Sequence, residues 1–169
     1  MRLVKIFIMV FVLAGCSASG PSVKTTYDHE SNTTRIAVWP PVDIKTDEVI
    51  SNLSLGAEYT CAGNQACRPD EIKLSFRSEK PVGWANLLHK RVQLRVDGYL
   101  YRFEDARYQG TRTGREILWV NVTPGVFKEI ANAKTVEGQI GFKEFSLPYD
   151  WRLPFRDLVA VVEGTQLQK

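Results

Sequence analysis

Few side chains in this sequence stand where they could do covalent or proton-transfer chemistry. The two histidines are His29 and His89. His29 lies between Asp28 and Glu30 in a polar stretch, where a solvated side chain is a simpler reading than a weak metal contact. His89 is the lone histidine of the later sequence. A nucleophilic Ser, Cys or Thr needs such a base, itself oriented by a third group, and no G-x-S-x-G elbow accompanies it. The carboxylate pairs Asp47-Glu48, Asp70-Glu71 and Glu104-Asp105 are sequence neighbours. Neighbours on a strand point to opposite faces, which makes them poor acid–base pairs. Gly110 to Arg115 (GTRTGR) has the glycines of a phosphate cradle, but such loops open onto a helix. This one opens onto a strand at Glu116 and reads as a polar connecting loop.

One bias remains. Six arginines (91, 95, 102, 107, 112 and 115) fall in a span that contains no lysine. The planar guanidinium fork suits carboxylates and phosphates. Arg91, Arg95, Arg102, Arg112 and Arg115 therefore form a candidate binding surface for an anionic partner. The competing reading is a solvated strand face that discourages edge pairing. The tryptophans at 39, 84, 119 and 151 read as core rather than as a glycan platform. No metal-ligand spacing and no cofactor motif is present, so none is expected. Lys and Arg total 22 against 19 Asp and Glu, a net charge of +3. That small surplus excludes a nucleic-acid binder.

The N-terminus carries the most specific signal. Arg2 and Lys5 precede an unbroken apolar run from Ile6 to Ala14. The run suits the h-region of a signal peptide and is too short to span a bilayer. It ends in Leu13-Ala14-Gly15-Cys16, which resembles the lipobox of bacterial lipoproteins. The resemblance implies removal of residues 1–15 and a diacylglyceryl thioether on Cys16. It also implies attachment to the cell envelope, with Ser17 pointing to the outer membrane, facing the periplasm. Cleavage removes two cations, so the net charge falls from +3 to +1. With Cys16 lipidated and the compartment oxidising, Cys61 and Cys67 are left to pair with each other. Five residues separate them and no zinc-type spacing appears.

Length and composition, 169 residues with 44% hydrophobic and 24% charged, fit one globular domain. Residues 16–33 are polar and aperiodic, the pattern of a flexible tether, leaving 34–169 as the body. Alternation marks strands at Arg35–Trp39, stopped by Pro40-Pro41, at Leu53–Cys61 and at Ile72–Arg77. Trp84–His89 reads as either a short helix or a turn. Asp97-Gly98 between alternating runs marks a type I′ hairpin. Its register sets Val96 against Tyr99, Leu94 against Tyr101 and Val92 against Phe103 on the core face. Arg95 then faces Leu100, Gln93 faces Arg102, and Arg91 faces Glu104. Glu116–Val122 is apolar on both faces, as in a strand covered on both sides. Thr123-Pro124 reads as N-cap and first position of a helix to about Ala133, with Phe127, Ile130 and Ala131 inward. Val136, Gly138, Ile140 and Phe142 alternate, and the parity break after them predicts a bulge at Lys143-Glu144. A last helix starts near Pro154 with a stripe of Phe155, Leu158, Val159 and Val162, ended by Gly164. The expected fold is α+β and strand-dominated, a two-layer β-sandwich-like body with one or two covering helices.

These features together point to a membrane-anchored, non-catalytic interaction or assembly module. Its partners would be the membrane, through the Cys16 lipid, and an envelope protein or anionic cell-surface polymer. A binding module for such a polymer or a small ligand is the alternative, and a hydrolase a distant third. The anchor is directly testable. Mass spectrometry of the mature protein should find Cys16 as the first residue, carrying acyl mass, and Cys16→Ala should leave an uncleaved or soluble product. An unmodified N-terminus elsewhere would overturn it.

Overall fold

A computed structural model describes residues 20–46, 53–79, 87, 91–110 and 114–164. Apart from the fully buried Leu87, the ambiguous Trp84–His89 segment lies outside them, as do Cys16, His89 and Arg112. The first element is one that hydropathy hides. Strand β1 (Ser22–Asp28) pairs antiparallel with β2 (Thr33–Trp39), Ser22 opposite Trp39 and Asp28 opposite Thr33. The tether expected over residues 16–33 is thus corrected from Ser22 onward, and the body begins there rather than at residue 34. β1 is an edge strand held mainly by its backbone ladder. Lys24, Thr25 and Thr26 are exposed, and only Val23 packs against the core. The connecting turn is built by Asp28, whose carboxylate accepts from the Glu30 N–H (2.9 Å) and the Ser31 hydroxyl (2.8 Å).

Prolines then shape the edge of the sheet. Ala37 opposes Glu58, but Val42, five residues on, opposes Leu55, only three residues back. The extra residues fall at Trp39-Pro40-Pro41, where two successive residues lack an N–H to give the ladder. Pairing resumes as β3 (Val42–Asp43), and β4 (Lys45–Thr46) then crosses to a second sheet. β5 (Leu53–Ala62) and β6 (Ile72–Glu79) form as their alternation predicts. Leu53, Leu55, Ala57, Tyr59, Ile72, Leu74 and Phe76 are all buried. The Cys61–Cys67 disulfide, Cα atoms 5.6 Å apart, closes the connection between these strands.

The hairpin β7 (Val92–Val96) and β8 (Tyr99–Phe103) has the predicted register from Val96–Tyr99 to Val92–Phe103. Its ladder ends at Val92–Phe103, so the expected Arg91–Glu104 pair lies beyond it. β9 (Arg107–Gly110), which no alternation announces, pairs with β10 (Arg115–Val122). On β10, Leu118, Val120 and Val122 are buried. Ile117 and Trp119, on its other face, are only half-buried. Instead of the second covering layer expected there, the Lys73 ammonium lies over the Trp119 ring, 5.3 Å from its centroid. A long cationic stem does part of the covering that a packed layer would do.

Helix α1 (Pro124–Asn132) starts as its signals predict. The Thr123 hydroxyl accepts from the Val126 N–H, and Phe127, Ile130 and Ala131 are buried. β11 (Val136–Ile140) and β12 (Lys143–Ser146) correct the expected bulge. Ile140 opposes Lys143 across a two-residue turn, Gly141-Phe142, with Gly141 at φ 59°. A turn reverses the chain and resets parity, which in the linear pattern looks like an inserted residue. Phe142 sits 80% exposed at the tip rather than inside a strand. On β11, a Cβ at Gly138 would lie 2.0 Å from the Phe145 ring, so that ring requires glycine opposite it. A single 3-10 turn (Asp150–Arg152) leads into α2 (Leu153–Gly164), whose predicted stripe is buried.

The first sheet has seven strands in the order β1-β2-β5-β6-β10-β9, with β3 also on β5. The second has five, β4-β12-β11-β7-β8. Their inner faces meet, with the Phe76 and Phe145 rings 5.7 Å apart. α2 packs on β1, β2 and α1, its Phe155 ring 6.0 Å from Phe127. The result is the expected strand-dominated α+β sandwich with two covering helices.

Among the described residues the largest fully buried side chain is an arginine, Arg152. Its guanidinium donates to the carbonyls of Ile130 (2.6 Å) and Ala133 (2.7 Å), with longer contacts of 3.4 Å to Ala131 and Lys134. These belong to the last turn of α1 and the residues just after it, where carbonyls lack helical partners. Burial pushes the guanidinium pKa down and the neighbouring Arg156 adds to this, while Asp97 and Tyr149 oppose it. Arg152→Leu should cost about 2–5 kcal/mol in denaturant unfolding, because buried carbonyls lose their donors at about 1–3 kcal/mol each. Arg152→Lys should recover less than half, since a point charge cannot serve several carbonyls as a fork does. A Leu variant as stable as the parent would refute this account.

Candidate binding surface

The arginine-bearing hairpin starts from a turn that does two jobs. Asp97 (φ 46°) and Gly98 (φ 89°) both occupy the left-handed region, as a type I′ turn requires. The Asp97 carboxylate also accepts from the backbone N–H groups of Thr135 (2.8 Å) and Lys134 (3.1 Å). The Asp97 N–H in turn donates to the Thr135 carbonyl at 3.0 Å. Hydrogen bonds from Thr135 and then Lys134 hold the carboxyl below its ordinary pKa. The hairpin is therefore pinned to the connection between α1 and β11, and its outer face is carried on a braced support.

Across the second sheet the register builds two outward rows. Leu100, Arg95, Glu137 and Ser146 follow one another across β8, β7, β11 and β12, and beside them run Arg102, Gln93, Gln139 and Glu144. Arg95 and Arg102 are exposed, as expected of the outer face. Arg95 stands directly opposite Glu137, so the surface is of mixed charge rather than purely cationic. The face is concave, a cleft of about 530 Å³ lined by both rows except Arg102, which stands beside it, and by Thr46 at its end. Its lining is polar, with no tryptophan or tyrosine.

The predicted arginines do not all converge. Arg91, exposed, precedes β7, and its carbonyl accepts from the Gly141 N–H at 2.9 Å. Arg115 opens β10 in the other sheet, opposite Glu79. Arg112 lies outside the described residues. The surface built by the fold thus comprises Arg95 and Arg102 on one sheet, with Glu137 and Glu144 as members that the arginine pattern did not reveal.

The inward side of the same hairpin is less enclosed than its pattern suggests. Val92, Leu94 and Val96 are buried, but Tyr99 is 66% exposed. β8 is the sheet's edge, and its rings form a row, Tyr99 to Tyr101 at 4.8 Å and Tyr101 to Phe103 at 6.4 Å. The Tyr101 hydroxyl donates to Glu129 of α1. That carboxylate pushes the phenol pKa up to about 12, so the hydroxyl stays a donor throughout the neutral range.

The remaining chemistry-bearing groups form structural pairs. Glu116 is buried and accepts from the Tyr108 hydroxyl at 2.9 Å. Burial opposes the charge of Glu58, but Lys73 and Arg35 outweigh it and hold its pKa low. Glu58 bridges the two, with Lys73 at 3.0 Å. His29 stacks edge-on against Tyr27, centroids 4.5 Å apart. Among the described residues no three His, Cys, Asp or Glu side chains are grouped to hold a metal ion.

The Asp97 clamp has a definite pH signature. A carboxylate whose pKa is lower folded than unfolded contributes stability above its unfolded value, near 3.9, and loses it as pH falls through the folded value. Asp97→Asn keeps a side chain that tolerates the turn and removes the charge. Its melting temperature should lie below the parent's at pH 7, and the gap should close as pH drops below about 4. A gap constant from pH 7 to pH 2 would show that the carboxylate charge contributes nothing.

Neither a protein-family model, nor a curated protein, nor a solved structure matches this chain.

Proposed function

We propose that this protein is a lipid-anchored envelope lipoprotein, held through Cys16 at the outer membrane facing the periplasm. Its body acts there as a non-catalytic docking module for another envelope protein. The anchor rests on the Leu13-Ala14-Gly15-Cys16 lipobox. Among the described residues no helix is long and apolar enough to cross a membrane, so lipid is the attachment this reading uses. The observation that carries the docking role is the outer face of the second sheet. Arg95, Glu137 and Glu144 line its concave part and Arg102 stands beside them, so both charge signs are in fixed register on a braced support. Fixed charge patterns specify a partner and its orientation more than they add raw affinity. Confinement to the membrane raises the effective concentration of a membrane-held partner, so weak contacts suffice.

A second reading, binding of a polar cell-surface polymer, is favoured by the cleft alone. Its 530 Å³ falls within the range of small-ligand sites, about 300–1,000 Å³. In-cell crosslinking followed by mass spectrometry separates the two. A protein adduct supports the first reading, and adducts of polymer alone support the second. For the docking role, Arg95→Glu with Arg102→Glu should abolish capture of the partner. Glutamate at 95 would face Glu137, and like charges across a ladder cost about 0.2–1 kcal/mol. The melting temperature should therefore fall by no more than about 2–4 °C. Undiminished capture by the double variant would remove this surface from consideration.

A further inference from the structure

The chain enters its fold beside a tryptophan that the core does not use. Ser22, the first residue of β1, opposes Trp39, and Trp39 is 48% exposed, against the expectation of a core residue. Ile36 and Val38 point inward and are buried, which puts Trp39 on the outer face of the first sheet. There the Arg77 guanidinium lies 5.5 Å from its ring centroid. A hollow that includes Lys24, Thr26 and Arg35 meets the ring on one side, and one that includes Asp43, Ser54 and Arg77 on another. Around Trp39 this face carries Lys24, Arg35, Lys73 and Arg77 against Asp43 and Glu58. The cationic surplus is local, since the chain without residues 1–15 has a net charge of only +1.

A half-exposed indole ringed by cations has the composition of a bilayer-interface contact. The ring settles at headgroup level, and Lys and Arg meet lipid phosphates. Chain length says what covers it. Only five residues, Ser17 to Pro21, separate Cys16 from Ser22. Six Cα steps reach at most about 20 Å when fully extended, little more than the radius of gyration of a domain this size, about 15 Å. A lipid on Cys16 therefore keeps Ser22 and its neighbour Trp39 on the side of the body next to the bilayer.

We infer that the Trp39-centred basic face of the first sheet lies against the headgroup layer of the membrane that holds the Cys16 lipid. The inference rests on the lipid-anchor reading above. It also orients the molecule. The two sheets pack inner face to inner face, so the second sheet's cleft then points away from the bilayer, toward partners.

The test uses the full acylated protein on vesicles of phosphatidylethanolamine and phosphatidylglycerol. Hydroxyl-radical footprinting compares it with the soluble Cys16→Ala chain, residue by residue. On vesicles, Trp39 oxidation should fall about fivefold or more as interfacial lipid replaces water. Tyr99, 66% exposed on the other sheet, should stay within about twofold. Acylated, vesicle-bound protein with Trp39 as reactive as in the soluble chain would overturn the inference and leave the anchor standing. Protection of Tyr99 in place of Trp39 would overturn it by setting the edge of the second sheet against the bilayer. An N-terminus without acyl mass would overturn the anchor, and this inference with it.

Discussion

The last turn of α1 runs against the core, where the carbonyls of buried Ile130 and Ala133 have no helical partners. That is the constraint on which the rest of the body depends. Arg152 answers it with a planar fork of donors directed at Ile130 and Ala133. A positive charge there also suits the negative end of the helix dipole. From the other side, Asp97 takes the N–H groups of Lys134 and Thr135. The short connection from α1 to β11 is thus held by a cation on its carbonyls and an anion on its amides. Arg152 stands at the entrance to α2 and Asp97 in the turn of β7 and β8. One connection therefore couples both helices to the hairpin that carries the candidate binding surface.

With both sheets turned inward on each other, their outer faces are left open to partners. Those faces are built differently. On the first sheet, apolar rings are shared with cations: Arg77 lies over Trp39 and Lys73 over Trp119. Such contacts let a strand carry aromatic residues outward without a third layer. On the second sheet, opposite charges stand across the ladder, as Arg95 does to Glu137, and the amides of Gln93 and Gln139 lie between. The first arrangement suits a broad interfacial surface, and the second a partner of defined charge pattern. Under the proposed lipid anchor, the first would face the bilayer and the second would point away from it.

Much of this architecture was already determined by the sequence. The hairpin register followed from Asp97-Gly98 and the alternation on each side, because a one-residue slip would move Val92, Leu94 and Val96 into water. The cap and buried face of α1, the stripe of α2, and strands β5, β6 and β10 followed in the same way. Each is a local pattern that states its own structure. The Cys61–Cys67 pairing was legible once Cys16 was assigned to lipid.

Only the tertiary structure decided the rest, because what it adds are relations between distant segments. β1 and β9 pair through backbone groups, which every residue but proline carries, so composition cannot announce them. The turn at Gly141-Phe142 and a bulge leave the same parity break in a linear pattern, and only the partner strand distinguishes them. Arg152 reads in the sequence as one more surface charge. Its burial follows from carbonyls some twenty residues earlier, brought to it by the packing of α1 on α2. The arginines near the hairpin are neighbours in sequence, yet Arg115 belongs to the other sheet, and Glu137 and Glu144 complete the face instead. Side-chain type and period are local properties that a sequence carries in full. Which charge opposes which, and which carbonyl lacks a donor, exists only once the chain has folded.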